Sequence, residues 1–61
     1  MIRKRALRRH LRTSADDALA SNEEYFDREI QNAQNSDTWI NDCAAILVEV
    51  RGEIRRRLTC L

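Results

Sequence analysis

Residues 37–59, DTWINDCAAILVEVRGEIRRRLT, decide the fold. Ile40, Leu47, Ile54 and, just beyond the stretch, Leu61 recur every seven residues, and Cys43, Ala44 and Val50 fill the positions between. Trp39 and Ile46 widen this stripe on one flank and Leu58 continues it on the other. An apolar face repeating at roughly 3.5 residues predicts a helix from about Asp37 to Thr59. Such a heptad pattern belongs equally to a coiled coil and to a helix packed inside one bundle. Gly52 falls on the outer face, where it is expected to weaken or end the helix locally, by about 1 kcal/mol relative to Ala.

Upstream, Asn35-Ser36-Asp37-Thr38 is a polar, turn-forming cluster, and Ser36 or Asp37 can cap the helix that follows. Before it runs a second, looser stripe: Leu7, Leu11, Ala15, Leu19, Asn22, Phe26, Ile30 and Ala33, flanked by Ala18 and Tyr25. Steps of three and four residues again predict a helix. Ser14-Ala15-Asp16-Asp17 and Ser21-Asn22-Glu23-Glu24 both read as capping boxes, so the helix can start at either serine or run through. The favoured division is a basic arm over 1–13, itself helical or nascently so, and a helical hairpin over 14–61, with helices at about 14–34 and 37–59.

A short link makes the two helices antiparallel neighbours. With the turn centred on Ser36, Phe26 faces Ile46, Leu19 faces Glu53 and Ile54, and Asp16 and Asp17 come beside Arg55 and Arg56. The arm then overshoots the hairpin by roughly 18 Å at 1.5 Å per residue. Leu7 and Leu11 would be bare, and two helices alone cannot enclose the wide second stripe. Self-association is therefore expected, most simply a dimer forming a four-helix bundle. Leu7, Leu11, Trp39, Ile40, Ile46, Leu47, Val50 and Ile54 would form its interface.

Composition sets the outer limits. Sixty-one residues make one small domain, whose core stabilises by only about 3–5 kcal/mol. With no proline and one glycine, the turns of a sandwich or barrel cannot be built. The chain is 34% charged and has no apolar run near the ~20 residues of a membrane span. Cys43 and Cys60 suffice neither for a disulfide scaffold nor for a zinc site, which suits a reduced, cytoplasmic, all-α protein. Arg8-Arg9 is not followed by the apolar segment that a secretory or twin-arginine signal requires.

The net charge of +1 conceals a partition. Arg3, Lys4, Arg5, Arg8, Arg9 and Arg12 give residues 1–12 a charge of +6; residues 13–50 carry −8 and residues 51–61 carry +3. A basic arm on an acidic body suits an anionic partner, or contacts between unlike ends of neighbouring molecules. Catalytic groups are missing. His10 is the sole histidine and sits among arginines; Glu23 and Glu24 point in different directions on a helix. No Gly-rich phosphate loop or metal-ligand spacing occurs. No enzymatic activity, metal or cofactor is expected.

Arg3, Lys4, Arg5, Arg8, Arg9 and Arg12 are the candidate nucleic-acid-binding residues, because the segment resembles an arginine-rich RNA- or DNA-binding helix. Guanidinium groups fork onto phosphates, and each contact releases condensed counterions. The arm has no aromatic residue for base stacking. The competing reading packs its leucines in an oligomer and sets its arginines against a neighbour's acidic body.

In its small size, its Arg-rich opening from Arg3 to Arg12 and its Trp39- and Cys43-bearing helix, the chain resembles the very small helical early proteins of lambdoid bacteriophages. The resemblance implies a non-enzymatic accessory protein in the host cytoplasm, influencing phage development by binding a host or phage partner. Two functions are thus expected: a homo-oligomeric regulator acting through protein–protein contacts, or a nucleic-acid-binding protein using the arm.

Overall fold

The computed structural model describes residues 3–60; Met1 and Ile2 of the expected arm, and Leu61 at the end of the second stripe, lie outside them. Three α-helices pack together: α1 over Lys4–Thr13, α2 over Asp16–Gln31 and α3 over Asp37–Thr59. The heptad stripe forms α3 across the expected span, and the helix continues through Gly52 without a break. Ser36 caps it, its hydroxyl oxygen accepting from the Trp39 amide at 3.2 Å. Among the described residues no helix is long and apolar enough to cross a membrane.

The α2–α3 turn begins earlier than the polar cluster suggests, because Asn32 already leaves the helix. Its side-chain oxygen accepts from the Gln34 amide at 3.0 Å, and the Asn35 amide group donates to the Glu29 carbonyl at 2.8 Å. Asn32 thereby satisfies a donor of the turn itself, and Asn35 ties the turn back to the last turn of α2. Helices α2 and α3 run antiparallel, joined by Glu23–Arg51 at 3.1 Å and Asp16–Arg57 at 2.6 Å. Those pairs lie within about two residues of the register expected from a turn at Ser36. The basic partner of Asp16 is nevertheless Arg57, one position beyond the expected pair.

The N-terminal arm departs most from expectation. It does not overshoot the hairpin; the chain bends at Ser14-Ala15 and α1 lies back along α3. Ser14 and Ala15 are both extended, with ψ of 144° and 156°. The hydroxyls of Thr13 and Ser14 each donate to the His10 carbonyl at 2.9 Å. Ser14 therefore closes the end of α1 rather than capping α2, whose N-cap position is Ala15 and has no side-chain cap. Two acids in the first turn of α2, Asp16 and Asp17, complement its dipole instead.

Arg57 fixes the bend. Its Nη2 donates to the carbonyls of Leu11, Arg12 and Ser14 at 2.9, 3.2 and 2.7 Å. Its Nη1 reaches Asp16 at 2.6 Å and its Nε reaches Glu53 at 2.8 Å. A single guanidinium thus caps the end of α1, holds the start of α2 and is oriented by α3. Arg8 adds a second tie, forking onto Glu49 at 2.9 and 3.1 Å. Residues 8 to 14 of α1 consequently meet residues 49 to 57 of α3 in the same order, so α1 runs parallel to α3 and antiparallel to α2.

Between these ties the core closes around Leu11, Leu19 and Val50, one residue from each helix, with Leu7, Ile46 and Ile54 packed against them. Leu11 is 2% exposed. The covering expected from a second molecule comes from the same chain, because the bend returns α1's leucines to α3. Cys43 and Leu47 complete the buried set towards the turn. Glu53 is buried as well, and its carboxylate receives Arg56 at 2.7 and 3.1 Å beside Arg57.

Two outcomes test this arrangement. Arg57→Lys keeps the charge but loses the planar fork. It should lower the melting temperature and speed hydrogen exchange throughout α1, while α2 and α3 amides facing each other stay protected. Hydrogen bonds from Arg56 and Arg57 pull the Glu53 carboxyl down from 4.5 to about 2, and Arg8 likewise lowers Glu49. Both bind protons more weakly folded than unfolded, so both stabilise less as pH falls; the Glu53 contribution is complete above about 4.5 and is lost towards about 2. Urea midpoints should decline through that window, and Glu53→Gln should be weaker at neutral pH with a shallower acid limb.

Candidate nucleic-acid interface

The first turn of α1 contains Lys4 and Arg5 and no acid, and Arg3 before it provides no side-chain cap. Cations at a helix N-terminus oppose its dipole, typically by about 0.3–1 kcal/mol each. Local stability therefore does not account for this charge. The helix is held instead by its apolar side, where Leu7 and Leu11 meet α3.

That docking orients the opposite side outward. Arg5, Arg8, Arg9 and Arg12, spaced by three, one and three residues, form a concave outer surface of about 310 Å³ lined by these four side chains alone. Arg8 is anchored at one edge by Glu49, whose pull raises its affinity for its own proton. Arg3, Lys4, Arg5, Arg9 and Arg12 make no ion pair among the described residues. All six candidate residues are exposed. The structure brings four of them into one surface and leaves Arg3 and Lys4 at its N-terminal border.

On the rest of the molecule, which stays net acidic, most arginines are paired with carboxylates. Arg51 binds Glu23 and, at 3.6 Å, Asp27; Arg28 binds Glu24 at 2.9 Å. Exposed pairs of this kind contribute about 0–1 kcal/mol each, but they cancel charge on the hairpin. Unbalanced positive charge is thus concentrated on α1.

A second depression lies between α1 and α3, about 260 Å³ in volume, bordered by Arg8, Arg12 and Arg56 with Gly52 between them. The sequence assigns neither Arg56 nor Gly52 to a binding surface: Arg56 reads as compensated by α2, and Gly52 as a weak point on the outer face of α3. In fact Arg56 turns to the α1 side and Arg55 has no ion-pair partner among the described residues.

The expected oligomer interface is divided. Leu11, Leu47 and Val50 are consumed by the protomer's own core; Leu7, Ile40, Ile46 and Ile54 are half-buried; Trp39 remains 38% exposed. The Trp39 indole donates to Glu29 at 3.1 Å. Leu58, outside the expected set, is 67% exposed beside a shallow apolar hollow with Leu19, Ala20 and Ile54.

His10 is exposed on α1. Burial pushes the Cys43 thiol up, and Cys60 is free and exposed. Among the described residues no group of three or more His, Cys, Asp or Glu side chains converges as metal ligands would. Compared with protein-family models, curated proteins and solved structures, the chain matches none.

Proposed function

We propose that this protein binds nucleic acid by its phosphate backbone, through the outer face of α1. One observation carries the reading: α1 is fastened to α3 by its leucines, which leaves Arg5, Arg9 and Arg12 on an outward concave surface whose inner edge is Arg8, tied to Glu49. A helix packed this way is a rigid platform, so its arginines lose less freedom on binding than those of an unfolded arm. α1 carries no Phe, Tyr or Trp and only the His10 imidazole as a ring, so contacts to phosphates rather than stacked bases dominate the affinity and binding is largely indifferent to sequence. The acidic hairpin repels the polyanion elsewhere and restricts it to α1. A regulator of this kind suits the accessory role in phage development that the resemblance implies.

A second reading, self-association, has its own support in the exposed Leu58 and the apolar hollow beside it. Both activities are compatible, because that hollow lies between α2 and α3, away from the arginines.

The triple variant Arg5→Gln, Arg9→Gln, Arg12→Gln preserves the Arg8–Glu49 tie and should retain helix content. Fluorescence anisotropy with a short duplex should show binding lost near physiological salt. Where binding persists at low salt, the slope of log K against log salt should shrink by about 0.9 per contact removed. Wild-type protein without affinity for duplex or single strands would end this reading. For self-association, sedimentation should detect a dimer that Leu58→Ser dissociates; a monomer at every concentration would refute it.

A further inference from the structure

We infer that the depression between α1 and α3 seats one backbone phosphate of the bound nucleic acid, clasped by Arg8, Arg12 and Arg56 over Gly52. This rests on the nucleic-acid reading and extends the contact surface from α1 onto α3.

Gly52 gives the first reason. Glycine inside a helix is less stable than alanine there, and a Cβ at position 52 would meet nothing within 4 Å. Neither packing nor backbone conformation demands glycine, because α3 is regular through this point and no described residue has positive φ. Gly52 lines the depression, so a side chain there would take up part of its space. Its absence leaves the floor open to a close-approaching group.

The second reason is the way the arginines are held. Arg8 spends Nε and Nη2 on Glu49, and Arg56 spends Nε and Nη2 on Glu53. Each guanidinium is therefore fixed along one edge, with Nη1 free to donate. Arg12 has no side-chain partner among the described residues. Three cations above two carboxylates leave the lining net positive, and the carboxylates orient two of the forks in advance. Arg8 and Arg12 also border the outer arginine surface, so a strand lying on α1 passes directly into this seat.

The test compares duplex binding by wild type, Gly52→Ala and Arg56→Gln, with Val48→Gln as an exposed control on α3. Gly52→Ala should melt at a higher temperature yet bind about 3- to 10-fold more weakly, as expected for one impaired charge-assisted contact. Arg56→Gln, with Glu53 still held by Arg57, should lower the salt slope by about 0.9. Val48→Gln should bind like wild type. If Gly52→Ala and Arg56→Gln bind like wild type while the triple arginine variant does not, the seat is refuted and the α1 interface stands. If wild type binds no nucleic acid, both fall. Inorganic phosphate titrated into isotope-labelled protein should shift the Arg8 and Arg56 Nε signals only at concentrations far above those of the duplex. Saturation at equal concentration would make this a free-phosphate site and overturn the assignment.

Discussion

The Arg57 guanidinium is the contact on which the three-helix arrangement depends. The last carbonyls of α1 have no partner within their own helix, and they end against the body of the protein rather than in open water. Arg57 donates to two of them, on Leu11 and Arg12, and to the Ser14 carbonyl just beyond, while binding Asp16 at the start of α2 and Glu53 on its own helix. A lysine could neutralise the acids but could not span the carbonyls and both carboxylates with one planar group. The Leu11–Leu19–Val50 cluster draws the helices together without direction; the guanidinium sets where α1 must stop.

Charge and packing divide the labour along α1. Its leucines bind it to α3, and one arginine, Arg8, locks its register through Glu49. The remaining cations are not needed for either task. A fully engaged basic helix would have found partners on the acidic body, as Arg51 does with Glu23 and Asp27. On α1 the excess instead faces solvent, which is why the helix reads as an interface rather than as a strut.

Much of this was legible in the sequence where the determinants are local. The heptad stripe, the Ser36 cap and the absence of turn residues define α3 and the all-helical class. The bend at Ser14-Ala15 was not legible, because Leu7, Leu11, Ala15 and Leu19 keep four-residue spacing straight across it. α1 presents Leu7 and Leu11, and α2 presents Leu19, to the same partner, so periodicity continues where the helix does not. What breaks the helix is two hydroxyls turned towards His10 and an arginine 46 residues from Leu11. The arginine face of α1 could be read from helical spacing alone. Arg56 and Gly52 could not be assigned to it, since only the return of α1 brings them alongside.

That long separation also imposes an order on folding. Contacts between α2 and α3 close across a short turn, whereas those of α1 with α3 span some forty residues and form more slowly. A chain made from its N-terminus therefore releases α1 first but cannot finish it until the far end of α3 has formed. During that interval its arginines are already present, on a segment with no fixed orientation. Of the three helices the first to be synthesised is the last to be set in place, and the nascent segment is charged before it is shaped.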